Sequence, residues 1–237
     1  MAERLMKPRI RATNGPGFSL FLYLLLAVTI AITTASCGLG NVPYLYPPEE
    51  FRASSTQLII NHDIRNYDPG ETPQTFLGYE IFYRAFDSLE SANSFALNIQ
   101  NLDAEELISR GMLRMICVDS SSQSLLPAIP VSDADKEHSY YIDFSADLTN
   151  WQIYEKNLTG VSSLVGTAFR NIPSADYFSF RDKTAYSSGD SDYSVTTTSP
   201  ADIWFVFCAF AYGQDSSVLF DSIYSEQPVT GFLIVAQ

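Results

Sequence analysis

Along residues 75–86 the side chains divide by twos: Leu77, Tyr79, Ile81 and Tyr83 fall on one face, and Gly78, Glu80, Phe82 and Arg84 on the other. That period predicts the clearest strand of the chain. A shorter aliphatic strand is expected at 57–61. Residues 203–212 are almost continuously apolar, which predicts a central strand buried on both faces. Between them the rhythm changes. Asp87 with Glu90 has capping-box spacing, and Leu89, Ala92, Phe95 or Ala96, and Ile99 recur at helical intervals. A second short helix is expected after Asp103, with Glu106 completing a capping box, Leu102 and Leu107 in staple positions, and Arg110 and Gly111 at its end. Further short strands are expected at 112–119, 140–144, 152–155, 166–170 and 177–181, with a last one between 225 and 236. Residues 187–199, rich in Ser, Thr and Asp, read as an exposed loop and as the segment most open to proteases.

The N-terminal pattern is of another kind. Arg4, Lys7, Arg9 and Arg11 precede an apolar run at 18–32, and Thr33, Thr34, Ala35 and Ser36 follow it. The run is shorter than the roughly 20 residues a membrane-spanning helix needs, and small residues sit where a signal peptidase would cut. A cleaved signal peptide over 1–36 is therefore expected. Cys37 comes next, and Ala35-Ser36-Cys37-Gly38 resembles the lipobox of bacterial lipoproteins, with Thr34 standing where that motif has an aliphatic residue. The resemblance implies a diacylglyceryl group on Cys37 and attachment to a membrane through it, since two acyl chains suffice for stable anchoring. Residues 37–51, with Pro43, Pro47 and Pro48, read as a lipidated tether. The opening from Cys37 through Tyr44-Leu-Tyr-Pro-Pro-Glu49 is similar to the mature start of treponeme-type spirochaete lipoproteins. That likeness implies a cell-envelope location, the outer membrane favoured over the inner, and no particular activity.

The segment Gly78-Tyr-Glu-Ile-Phe-Tyr-Arg84 resembles the third strand of fibronectin type III domains, and Phe205, Phe207, Ala209 and Ala211 match the inward face of their sixth. The implied fold is mainly β: an immunoglobulin/fibronectin III-like sandwich over 52–237, with a short helical insertion near 87–110. Phe205 stands where that fold has its corner tyrosine, and more than a hundred residues separate the two matching strands.

Composition narrows the functional classes. The 237 residues are 46% hydrophobic and 14% aromatic, which excludes a disordered chain. Net charge is −13, and because residues 1–36 hold four bases and one acid, the remainder carries −16. Such a surface repels phosphate backbones, so no nucleic-acid partner is expected. It also disfavours anionic lipid, so the body is expected to stand off the headgroups.

Chemistry-bearing residues are sparse. Cys117 and Cys208 lie in apolar runs and are either a disulfide pair or two buried thiols; their spacing leaves both open. His62 and His138 have no second nitrogen or sulfur ligand near them in sequence, so no metal site is expected and both are expected in solvent. The Ser188-Gly189-Asp190-Ser191 stretch lacks the frame of a serine nucleophile, and residues 160–166 have no phosphate-loop spacing. Glu105–Glu106, Asp133–Asp135 and Asp190–Asp192 are acid pairs for which surface charge is the simpler account, with a carboxylate-pair envelope hydrolase as the least favoured alternative. No catalytic residue and no cofactor emerge. What remains is aromatic: Tyr140, Tyr141, Trp151, Tyr154, Tyr186 and Tyr193 are candidate anchors for a partner. The sequence thus describes a lipid-anchored, non-enzymatic binding or structural module whose partner is an envelope protein or a glycan, with a surface adhesin as the alternative.

Overall fold

The computed structural model describes residues 44–54, 56–67, 75–132, 134, 136–145, 148–172, 177–195, 202–215, 221–228 and 233–236, all within the unit Pro43–Gln237. Residues 1–36, where a signal peptide is expected, and Cys37 lie outside the described residues. In chain order, β1 (Glu50–Ala53) and β2 (Gln57–Asn61) precede the long strand β3 (Phe76–Phe86), which leads into helices α1 (Leu89–Asn98) and α2 (Ala104–Ser109). Short strands follow: β4 (Leu113–Arg114), β5 (Ile116–Val118), β6 (Ser124–Leu125) and β7 (Ile129–Pro130). Then come β8 (Ser139–Asp143), β9 (Gln152–Lys156), β10 (Ser162–Arg170), β11 (Phe178–Ser179) and β12 (Tyr193–Ser194). The second long strand, β13 (Trp204–Asp215), is followed by β14 (Asp221–Tyr224) and β15 (Leu233–Ala236).

The protein is mainly β, built as two largely antiparallel sheets. The first runs β1-β2-β8-β9-β10-β5-β6, with β11 added to β10. The second is built on β3 and β13, antiparallel from Phe86 opposite Trp204 to Phe76 opposite Gly213. Along the outer side of β3 lie β7, β4 and β12 in succession, β12 being parallel to it. β14 and β15 cover the outer side of β13. Each long strand is thus flanked by paired strands on both sides.

Burial follows the alternation. Tyr79, Ile81, Tyr83, Phe205, Phe207 and Ala209 meet Leu58, Ile60, Tyr140, Ile142, Ile153 and Ala168 in a core shared by the two sheets. On the other side of the second sheet, Phe82, Phe86, Val206, Cys208 and Phe210 pack with Ala92, Ile99, Leu107 and Met112 from the helical segment. Because β13 is covered on both faces, its sequence has no polar alternation. Each such side chain contributes about 1.5–3 kcal/mol of burial energy.

The helix starts are set by caps. The Ser88 side chain accepts from the Ser91 N–H at 3.2 Å and is the cap of α1, not Asp87, whose own backbone N–H donates to Ser194 O. α2 has the expected capping box between Asp103 and Glu106. Its end is closed by Arg84, which donates to the carbonyls of Arg110 and Gly111.

Four expectations change. Residues 112–119 are not one strand: β4 pairs with β3 in the second sheet, the Met115 N–H donates to Ile81 O, and β5 then joins β10 in the first. The chain crosses the core there. The tether expected over 37–51 belongs to the body from Leu45 onward, because Leu45 is buried in the shared core and residues 50–53 form β1. The loop expected at 187–199 is anchored where it is described: Asp192 and Tyr193 are buried, and β12 pairs with β3. Finally, Cys117 lies in the core between the sheets and Cys208 on the helix side, both as free thiols, so the structure does not form the disulfide that was one alternative.

Gly78 has φ +150°, and a Cβ there would meet Ile129 O at 2.1 Å. Gly160 also has positive φ, but nothing lies within 4 Å. Gly78→Ala should therefore cost about 2–4 kcal/mol of stability in urea unfolding, and Gly160→Ala about 1 kcal/mol. Equal losses would contradict this packing.

Candidate binding face

The first sheet has one face in the core, so every second residue of β2, β8 and β9 is left for its outer face. The register arranges these into three rows. The middle row is Arg52, Ile59, Tyr141, Tyr154 and Leu164. On one side runs Glu50, Asn61, Ser139, Lys156 and Ser162, and on the other Gln57, Asp143, Gln152 and Thr167. An apolar and aromatic stripe is thus bracketed by hydrogen-bonding groups.

The rings of Tyr141 and Tyr154 stack at 5.1 Å with an interplanar angle of 17°. The Tyr154 hydroxyl donates to Gln152 Oε1. Ser139 Oγ donates to Asn61 Oδ1 at 2.8 Å, Asn61 Nδ2 donates to Glu50 Oε2 at 2.6 Å, and Glu50 also pairs with Arg52 at 2.7 Å. These links hold the polar groups in place. A depression of about 380 Å³ lies over Arg52, Gln57, Ile59, Tyr141, Lys156 and Ser162. It adjoins a second of about 220 Å³ at the end of the sheet, bounded by Glu49, His62, Glu137, His138 and Leu158; Asn61, Ser139 and Lys156 line both. The three rows hold two acids, Glu50 and Asp143, and two bases, Arg52 and Lys156, so this face is neutral on a strongly acidic protein.

The histidines are not solvated as expected. His62 is 2% exposed. Its Nε2 lies 2.8 Å from the Ala134 carbonyl and must donate, so Nδ1 accepts from the Tyr79 hydroxyl at 2.8 Å, which in turn accepts from the Asp63 N–H at 3.1 Å. Burial lowers its pKa, the Ala134 bond only partly opposing. With both ring nitrogens bonded inside the body, this imidazole turns no free lone pair outward. His138 Nδ1 is 2.7 Å from Glu155 Oε1, close in distance but poorly aligned for a hydrogen bond. Ser139 is its strand neighbour and lies on the opposite side of the sheet, so the two do not form a nucleophile–base pair.

At the other end of the core the inward row of β10 finishes in Arg170. Its side chain is fully buried, with Nε and Nη2 donating to Asp192 at 2.8 and 2.6 Å and Nη2 to Asp190 at 2.6 Å. The guanidinium lies 3.7 Å from the centre of the Tyr186 ring. Burial opposes its charge, but Asp192, Tyr186 and Asp190 more than compensate and raise its pKa. Tyr83 donates to Asp192 Oδ2 at 2.8 Å and accepts from the Asn171 N–H at 2.7 Å. The Asp190–Asp192 pair is therefore the partner of a buried cation.

The six candidate aromatics thus separate. Tyr141 and Tyr154 share the outer face, while Tyr140, Trp151 and Tyr193 are buried, and Tyr186 stacks on Arg170 and hydrogen-bonds to Phe180 O. Glu106 completes the capping box of α2 and Glu105 lies in the same turn; Cys37, Asp133 and Asp135 lie outside the described residues. Among the described residues no three His, Cys, Asp or Glu side chains converge as metal ligands. Sequence reasoning missed Arg52, Gln57, Ile59 and Asn61, whose signal was the alternation of short strands, and missed Arg170, which has no local signal. It also missed Glu80, buried on the helix side, whose Oε1 is unpartnered and whose pKa burial raises to about 7, Arg114 and the Ala128 N–H opposing. No protein-family model, curated protein or solved structure matches the chain.

Arg170→Met leaves Asp192 buried without its cation and should cost about 3–5 kcal/mol, with new proteolytic cuts near residues 187–195. Adding Asp192→Leu should recover most of that stability; a double variant no better than the single would contradict the ion-pair account.

Glu80 gives a pH dependence. Its folded pKa of about 7 exceeds the ordinary 4.5, so its contribution is complete below pH 4.5 and is lost as pH rises through 7. His62 acts oppositely, losing stability as pH falls below 6.5. Comparing the parent with Glu80→Gln cancels the His62 part. The variant should be more stable by about 1–3 kcal/mol at pH 8 than at pH 4.5, relative to the parent, in urea titrations. A pH-independent difference would contradict the burial of an ionising carboxyl.

Proposed function

We propose that the protein is a cell-envelope lipoprotein held through acylated Cys37, akin to the spirochaete lipoproteins its opening resembles, and that its body is a non-enzymatic module binding a neutral glycan. The observation that carries the binding reading is the Tyr141–Tyr154 stripe between two polar rows. Sugars present alternating C–H and hydroxyl surfaces, which suit aromatic and aliphatic side chains flanked by Asn, Gln, Ser and Thr. The neutrality of this face within an acidic body favours an uncharged ligand. A non-enzymatic role is supported by the employment of the candidate groups elsewhere: Asp190 and Asp192 hold Arg170, and His62 is bonded at both nitrogens. We read the body as a departure from the fibronectin type III sandwich. The β12-β3-β13-β14 order supports that reading, with the third and sixth strands central. β9 and β10, placed beyond β8, enlarge the other sheet.

The test is a glycan array probed with the mature chain, followed by titration of the best neutral ligand. Tyr154→Ala should weaken binding about tenfold or more with the melting temperature unchanged, whereas Leu126→Ala, an exposed apolar change off this face, should not. Parent protein that binds no neutral glycan, or binding indifferent to Tyr154, rejects the reading.

A further inference from the structure

The strands of the first sheet run between two unlike ends. The row Glu50, Asn61, Ser139, Lys156 and Ser162 marks one, and everything beyond it in the chain gathers there: Tyr44 to Glu49 before β1, His62 to Tyr67 after β2, and the 157–161 turn joining β9 to β10. Direct contacts tie these segments to the same end. The Glu49 N–H donates to Asn61 O, the His62 N–H to His138 O, and Asn66 bonds both the N–H and the carbonyl of Tyr46. The smaller depression lies between Glu49, His62 and Leu158.

This end is unusually apolar at its surface. Twelve large apolar side chains are exposed among the described residues, and five of them, Tyr44, Ile64, Tyr67, Leu158 and Val161, project from these segments. Leu158 is 72% exposed and Val161 62%, both in the turn that joins β9 to β10. The described charges here balance when the Glu50–Arg52 pair is included: Glu49, Glu50, Asp63 and Glu137 against Arg52, Arg65, Lys136 and Lys156, with Asp63 and Arg65 paired at 2.5 Å and Glu50 and Arg52 at 2.7 Å. Elsewhere the body is acidic.

The anchor is near. Six residues lie between Cys37 and Tyr44, so that seven Cα steps give a reach of at most about 25 Å, and the chain is fixed to the body from Leu45 by burial and by the Tyr46–Asn66 bonds. We propose that this end of the body lies against the zwitterionic phospholipid surface in which the Cys37 acyl chains are embedded, with Leu158 and Val161 entering the interface and Tyr44 and Tyr67 at headgroup level, where tyrosines are favoured. The proposal rests on the reading of Cys37 as acylated. It reverses the expectation that an acidic body stands off the membrane, because the acidity lies away from this end. The strands then run away from the bilayer, and the Tyr141–Tyr154 face opens sideways.

The test uses the mature acylated protein on phosphatidylcholine vesicles containing acyl chains brominated near the headgroup. Both native tryptophans are at the opposite end: Trp204 pairs with Phe86, and Trp151 precedes the distal row. They set the baseline. Leu158→Trp should add emission that the brominated lipid reduces about twofold, while Ser188→Trp, exposed near the buried Arg170, should add emission that is unaffected. Protein that floats with the vesicles but shows equal quenching at both positions overturns the membrane-facing end and leaves the anchor standing. Protein that does not float overturns the anchor and this inference together.

Discussion

The antiparallel pairing of β3 with β13 is the constraint from which the other elements follow. Both strands are buried on both faces, so water cannot complete the hydrogen bonds along their outer edges, and each unpaired group there would cost about 1–3 kcal/mol. The chain meets this demand piecewise, with β7, β4 and β12 along one edge and β14 and β15 along the other. The close approach of these pieces leaves no room for side chains at some backbone positions: a Cβ on Gly213 would lie 2.1 Å from Thr75 O, and one on Gly78 would strike the Ile129 carbonyl. Covering two faces also requires two layers, the first sheet on one side and α1 and α2 on the other.

The first sheet is needed for only one of its faces. Its inward rows are fixed by the core, but its outward rows are under no packing demand, so the polar and aromatic residues there are free to serve recognition. The same inward row that supplies Gly166 and Ala168 ends in Arg170, at the limit of the core. A cation there is tolerated because Asp192, Asp190 and Tyr186 surround it. Its geometric effect is to bind a Ser- and Gly-rich segment to the sheet edge, where the Asp192 carbonyl accepts from the Ala85 N–H.

What could be read from the sequence was local. The period of two in β3 and the apolar run of β13 follow from which faces are buried, and both are properties of a few consecutive residues. The capping box of α2 is local too, and so was legible. Pairing is not. Nothing near Asp192 announces a partner 22 residues away, and its Ser, Gly and Asp neighbours are those of a solvated turn. His62 was misread for the same reason: its environment is made by Tyr79 and Ala134, distant in sequence. The candidate face is half legible, since Tyr141 and Tyr154 are among the six aromatics the sequence offers, but only the register of β2, β8 and β9 separates them from Tyr140 and Trp151 and places them in one outward row.

The two ends of the body are fixed by different chemistry. At the end marked by Gln57, Asp143 and Gln152 the closing interactions are ionic, with Arg170 held between carboxylates. At the end where the chain enters the body, His62, Tyr79, Asn66 and Tyr46 close the structure through neutral hydrogen bonds, and the ion pairs Asp63–Arg65 and Glu50–Arg52 are each compensated within themselves. Bringing an uncompensated charge towards a hydrocarbon layer is costly, whereas neutral, mutually bonded groups and tyrosine rings approach it without that penalty. The acid excess is therefore compatible with the proposed contact between this end and a membrane, provided the excess lies away from it. In the proposed orientation, with the strands upright, the neutral face opens parallel to the membrane plane, where an extended polymer lying along that plane could cross it.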